Sequence, residues 1–207
     1  MYKEIATNRG GVEMSGDGVR VARPLFPMEG DGSNPSSPLQ LWISEISLKK
    51  AKELNRLWHS RLPRYESGFC EKAKICFGAE YGGIYYAVAI WDNPTARMLP
   101  QYTWLELKRL AVAPDAPKNT CSRMIRIMTL IIKKKMPKIT TLISYQDTEI
   151  HNGIIYRASG WIATAYRTVG EWNCKRRYRP PAQSYASKIR WQKEIRQPIA
   201  SLLGKEE

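Results

Sequence analysis

The sequence predicts a mixed α/β fold, a single domain built on a mostly antiparallel sheet. Apolar runs of strand length recur along the chain, and amphipathic helical stretches separate some of them. No internal repeat is present. The resulting order, β-α-β-β-β-α-β-α-β-β, is not the strict alternation of a doubly wound nucleotide fold. The 207 residues suffice for one well-buried domain with some chain left for tails.

Residues 1–38 are rich in Gly, Pro, Ser and Asp and keep no period of 2 or 3.6, so they read as an extended or disordered N-terminal arm. The domain is expected over 39–179. It opens with "LQLWISEI", a strand placing Leu39, Leu41, Ile43 and Glu45 on one face and Trp42, Ser44 and Ile46 on the other. Ser47 caps a helix over 48–62, whose apolar stripe is Leu48, Ala51, Leu54 and Leu57/Trp58, and Pro63 ends it. Two apolar runs around Glu80-Tyr81-Gly82-Gly83 predict a β-hairpin. "YTWLELKRLAV" is a further strand, which Pro114 and Pro117 terminate.

A long helix begins near Ser122, with Ile125, Met128/Thr129 and Ile131/Ile132 inward and Lys133, Lys134 and Lys135 in its last turn, where cations suit the dipole. "KITTLISY" reads as a buried strand, "TEIHNGIIYRAS" as a short helix with Gly160 as its C-cap, and 161–178 as a closing hairpin about Gly170. Residues 180–207 read as a basic C-terminal tail.

Charge narrows the function. Lys and Arg number 33 against 19 Asp and Glu, a net +14 that favours a polyanionic partner through counterion release. Seven Trp and eleven Tyr supply faces on which bases could stack. The four cysteines, Cys70, Cys76, Cys121 and Cys174, lack CxxC spacing, so neither a zinc ribbon nor a redox pair is supported. No secretory leader or membrane span is evident, so the expected location is the cytoplasm, with no membrane partner.

The segment "RLAVAPDAPKNTCSRMIRIMTLIIKKK" joins a strand to a long helix through a Pro/Asn/Thr/Ser turn, a setting in which main-chain amides at a helix N-terminus bind phosphate. The element order, this junction and the later Tyr156-x-x-x-Gly160-Trp161 segment resemble the GNAT acetyltransferase superfamily. The resemblance implies a sheet whose central strands splay to admit acetyl-CoA. Residues 117–123 take the place of the superfamily's Gln/Arg-x-x-Gly-x-Gly/Ala signature but lack its glycines, for which Asn119, Thr120 and Ser122 are turn-compatible substitutes. Within the superfamily, "APKNTCSRMI", "WHSRLP" and "HNGIIYRASGW" are most similar to the Mom DNA-modification proteins of Mu-like bacteriophages, over about 39–178. Those proteins are described as converting adenine in phage DNA to an N6-carbamoylmethyl base with acetyl-CoA and an iron ion, which shields the DNA from host restriction.

The resemblance then assigns residues. Leu110, Val112, Lys118, Asn119, Thr120, Cys121, Ser122 and Arg123 would bind acetyl-CoA, and Tyr156 would protonate the departing thiolate. The two histidines, His59 and His151, with Asp147 form the two-histidine, one-carboxylate set of non-haem iron(II), making His59 and Asp147 catalytic candidates too. Bland roles compete with each: His59 bonding near a helix end, Asp147 capping a turn, Tyr156 packing on the sheet. Cys121 is a candidate nucleophile or a small turn filler.

Double-stranded DNA, the expected substrate and partner, would meet Arg61, Arg64, Lys175, Arg176, Arg177 and Arg179, and beyond them Lys188, Arg190, Lys193 and Arg196. Tyr178, Tyr185 and Trp191 would stack on an extruded base. A homodimer is left open beside a monomer. A plain N-acetyltransferase and an inactive DNA-binding module of the same fold are the competing functions.

Overall fold

A computed structural model describes residues 14–15, 18–22, 34–60, 62, 74–168 and 186–196. Six strands follow one another antiparallel: β1 (Met14–Ser15), β2 (Gly18–Ala22), β3 (Trp42–Glu45), β4 (Ile75–Tyr81), β5 (Ile84–Asp92) and β6 (Trp104–Val112). The β4–β5 hairpin turns through Gly82 and Gly83, both at positive φ, as a two-residue connection demands. Strand β7 (Thr141–Asp147) lies parallel to β6. A parallel pair needs a crossover, and helix α2 (Thr120–Lys135) provides it. The described strands make one sheet in the order β1-β2-β3-β4-β5-β6-β7-β9-β8, with β8 (Ile162–Arg167) and β9 (Lys188–Glu194) last.

The sheet has two apolar faces. On one, α2 buries Met124, Ile125, Met128 and Ile132 completely against Leu41, Phe77, Ala89, Trp91, Leu105 and Leu142. Full burial of such side chains stabilises by about 1.5–3 kcal/mol each. On the other, helix α1 (Leu48–Trp58) packs Ala51 and Leu54 onto Ile46, Val88, Ile90 and Ala111. Ser47 caps α1 as expected, its Oγ accepting from the Lys50 amide at 3.2 Å. The helix is shorter than expected: it stops at Trp58, with His59 as C-cap. Its stripe is the expected one in Leu48, Ala51, Leu54 and Trp58, with Asn55 added and Leu57 left out. Leu57 is 69% exposed, whereas Asn55 is fully buried because its Nδ2 donates to the Leu62 carbonyl at 3.0 Å.

The arm, read as extended or disordered, contributes strands where it is described, β2 pairing with β3. Two other expectations are corrected. The helix expected over 148–159 is confined to α3 (Ile154–Ala158), the preceding residues being held in turns by the Asp147 carbonyl, which accepts from Ile150 and His151. The 171–178 segment, expected as the hairpin partner of β8, lies outside the described residues. The expected tail instead supplies β9, which pairs with β8 and inserts between β7 and β8. The cause is apolar: Trp191 and Ile195 are buried in the main core and Ile189 packs on it.

Candidate active site

Strands β6 and β7 are paired only from Trp104↔Thr141 to Leu107↔Ser144. Beyond that point β6 continues to Val112 and β7 to Asp147 without pairing to each other, so the sheet splits into a V with its vertex at Leu107 and Ser144. A slip in the β5–β6 register, Ile90↔Arg109 followed by Trp91↔Leu107, leaves Lys108 unopposed. The slip carries Leu107 and Leu110 to the same face, toward α2.

At the open end, a cavity of about 260 Å³ lies between the start of α2 and α3, lined by Val112, Pro117, Asn119, Thr120, Cys121, Ser122, Ile154, Ile155 and Ala158. The turn is built from short polar side chains. Asn119 takes the left-handed conformation at φ 68°. The Thr120 hydroxyl donates to the Pro117 carbonyl at 2.7 Å and the Ser122 hydroxyl to the Asn119 carbonyl at 3.0 Å. The backbone N–H groups of Asn119, Cys121 and Ser122 have no acceptor among the described residues. A helix N-terminus lined by unspent amides is an anion site that needs no charged side chain.

Five of the eight residues expected at the cofactor line this cavity: Val112, Asn119, Thr120, Cys121 and Ser122. The others do not. Leu110 packs on the core, and Lys118 is exposed beside the turn. Arg123 turns away, donating from Nη1 to the Leu41 carbonyl at 3.1 Å, where it ties α2 to the entry of β3. Burial pushes the Cys121 thiol up to about 11, so it is protonated at neutral pH and fills the turn rather than attacking.

Tyr156 hangs from α3 into the vertex and does not line the cavity. Its ring is buried, stacked on Trp191 (centroids 5.4 Å apart, planes 17° apart) and tilted against Trp161 at 5.7 Å. Its Oη lies 2.9 Å from Ser144 Oγ, and Ser144 in turn bonds the Leu107 carbonyl at 3.1 Å. Burial pushes the phenol up to about 12, opposed by the Ser144 hydrogen bond. Behind it, Trp191 Nε1 donates to Gln146 Oε1 at 2.7 Å, and Gln146 Nε2 donates to the His151 carbonyl. The sequence reading missed Ser144 and Gln146. Their signal was present: with Leu142 they occupy one face of an otherwise apolar strand, where a buried polar side chain must find a partner.

The expected iron ligands do not assemble. Among the described residues no group of three or more His, Cys, Asp or Glu could hold a metal ion. His59 Nδ1 accepts from the Leu62 amide at 3.1 Å, which places the imidazole proton on Nε2 and leaves neither nitrogen a free lone pair. Burial, then Arg109 and His151, push its pKa down to about 4, so the ring is neutral. Asp147 closes the turn after β7, its Oδ1 accepting from the Glu149 amide at 3.1 Å. His151 is exposed and donates its own amide to the Asp147 carbonyl at 3.0 Å. These are the structural roles weighed against ligation, and the residues as placed do not fit the ion.

The DNA candidates divide. Arg61, Arg64, Lys175, Arg176, Arg177 and Arg179, with Tyr178 and Tyr185, lie outside the described residues. Within β9 and just after it, three basic side chains are engaged by the fold: Arg190 Nε donates to Thr164 Oγ1 at 3.1 Å, Lys193 Nζ to the Ser159 carbonyl at 2.6 Å, and Arg196 Nη1 to the Met136 and Ile139 carbonyls at 3.0 and 2.9 Å. Lys188 faces Asp147 across β7 and β9. Trp191, only 4% exposed, stacks on Tyr156 and cannot meet a base.

The overall fold recurs in solved structures. The chain is similar to the ribosomal-protein-S18-alanine N-acetyltransferase of Escherichia coli (16% identity, 75% of this chain and 94% of that one, TM-score 0.53). It is similar as well to a probable acetyltransferase of Staphylococcus epidermidis (13%, 74% and 98%, TM-score 0.52). A GNAT family acetyltransferase of Elizabethkingia anophelis with acetyl-CoA bound aligns at 13% identity over 75% and 99%, TM-score 0.50. The fold is that of the GNAT acetyltransferases. No curated protein matches the chain. The Mom protein family model matches residues 40–197, and the chain belongs to that family.

Proposed function

We propose that the chain is an acyl-CoA-dependent transferase that modifies adenine in phage DNA, giving an N6-carbamoylmethyl-type base that resists host restriction enzymes. The observation that carries the first half is the turn at Asn119–Ser122, whose unspent amides line a cavity at the mouth of the β6–β7 split. A pyrophosphate on those amides would let the thioester arm run along the split toward Tyr156. There the phenol, protonated at any physiological pH, is suited to give its proton to the departing thiolate.

The second half rests on family membership and on the net charge of +14. The added group makes its own demands. Its amide nitrogen is absent from acetyl-CoA, and joining the acetyl methyl carbon to a nitrogen is a two-electron oxidation. A nitrogen donor and an oxidant are therefore further reactants, and the described residues show no site for either.

The test is mass spectrometry of nucleosides from DNA co-expressed with the protein, alongside calorimetric titration of acetyl-CoA. Modified adenine that disappears in Tyr156→Phe, with acetyl-CoA still bound, is the expected result. Cofactor binding with unmodified adenine would favour acyl transfer to another amine. No cofactor binding at all would leave a DNA-binding module.

A further inference from the structure

Ser144 stands where the β6–β7 ladder ends, and its hydroxyl touches two oxygens. A hydroxyl has one hydrogen and two lone pairs. The Leu107 carbonyl can only accept, so Ser144 spends its hydrogen there at 3.1 Å. Tyr156 is then the donor in the 2.9 Å contact, and the phenol proton rests on Ser144 Oγ.

We propose that Ser144 is a positioning residue that serves both protonation states of Tyr156: it accepts the phenol's hydrogen bond at rest, and turns its own hydroxyl from Leu107 onto the phenolate once the proton has left. The proposal rests on Tyr156 acting as the acid. When the thioester C–S bond breaks, the electron pair stays on sulfur and the proton passes from Tyr156 Oη to that sulfur. The Ser144 hydrogen rotates about the Cβ–Oγ bond and stays on Ser144. The bond that replaces C–S joins the carbonyl carbon to the nitrogen donor of the amide, and the proton that this nitrogen loses returns to the phenolate. No other proton donor is needed.

The surroundings make this partner matter. The ring is clamped between Trp161 and Trp191, so it cannot swing to find another donor. Among the described residues the Cys121 thiol from α2 is a titratable group that acts on it, and that thiol stays protonated and faces it without charge. In a site this dry, a buried phenolate without a hydrogen bond is strongly disfavoured.

The test is Ser144→Ala, with Ser144→Thr to restore the hydroxyl and Ser144→Cys as a second replacement of similar size. Tyrosine labelled at 13Cζ is followed by NMR through alkaline pH, with the Tyr156 signal identified by its loss in Tyr156→Phe. Ser144→Ala should move the Tyr156 titration upward and slow CoA release on DNA about tenfold or more, the worth of a hydrogen bond to a charged oxygen. Acetyl-CoA affinity should hold, and Ser144→Thr should recover most of the rate. An unmoved titration in both Ser144→Ala and Ser144→Cys overturns the proposal whatever the cofactor does. A moved titration in a protein that never binds acetyl-CoA overturns the acid role of Tyr156, and the proton-transfer half of the proposal with it.

Discussion

Helices α2 and α3 begin in the same way, and the residue used differs. Asn119 before α2 sits at φ 68°, ψ 7°, and Gly153 before α3 at φ 72°, ψ 8°; neither N-cap residue makes a side-chain cap hydrogen bond, although Asn152 Oδ1 accepts from the Ile154 amide at 3.1 Å. The backbone alone therefore does not decide between asparagine and glycine. Surroundings do. Asn119 is exposed at the cavity rim, where a side chain has room, and asparagine tolerates the left-handed region better than most residues. A Cβ at Gly153 would lie 2.5 Å from Gln146 Oε1 and 2.5 Å from Trp191 Cζ2. The glycine-free turn is thus no defect in a phosphate site, since the conformation that glycine usually supplies is already met. The glycine of "HNGIIY" serves packing: it lets the chain lie against the Trp191–Gln146 pair that backs Tyr156.

The largest effect tests that packing. Gly153→Ala should destabilise the fold by about 2–5 kcal/mol, adding the left-handed penalty for a residue with a Cβ to the strain of overpacking. Denaturant unfolding measures it, and a loss below about 1 kcal/mol would mean the backbone yields and the contact is not decisive. Trp191→Phe sharpens the reading by removing the Cζ2 edge that the new methyl would strike. The Gly153→Ala/Trp191→Phe double variant should be less damaged than the two singles added together, with a coupling of about 1 kcal/mol. Strict additivity would show that the clash lies elsewhere.

The two helix starts also differ in how far they could be read in advance. The α2 turn was legible because Pro, Asn, Thr and Ser act locally: each bonds within three residues of itself, as Thr120 to Pro117 and Ser122 to Asn119 show. The α1 cap at Ser47 and the hairpin at Gly82-Gly83 were legible for the same reason. The corner behind Tyr156 was not, because its partners come from far away in sequence. Strand β9 reads as a basic tail, and only Ile189, Trp191 and Ile195 at even spacing betray a buried face. Its arginines and lysine looked like phosphate ligands, whereas carbonyls and a threonine hydroxyl of the fold take up Arg190, Lys193 and Arg196. The iron trio failed for a related reason. Sequence places His59 and His151 in suggestive motifs and Asp147 four residues before His151, but whether a lone pair remains on the His59 imidazole depends on one backbone amide, that of Leu62.

The smallest effect falls on the other side of the comparison. Asn119→Gly keeps the positive φ and every amide of the turn while deleting a side chain that makes no cap bond. Relief of the left-handed conformation and the added freedom of the unfolded chain oppose each other, so stability should change by no more than about 0.5 kcal/mol. Asn119→Ala keeps the amides too but must adopt the same φ without asparagine's tolerance, which costs about 1 kcal/mol. If the turn holds its ligand through main-chain N–H groups, calorimetry should give Asn119→Gly the parent's acetyl-CoA affinity, with Asn119→Ala close behind. A large loss of affinity in Asn119→Gly would assign the binding to the asparagine side chain, and the likeness between the two helix starts would then stop at the backbone.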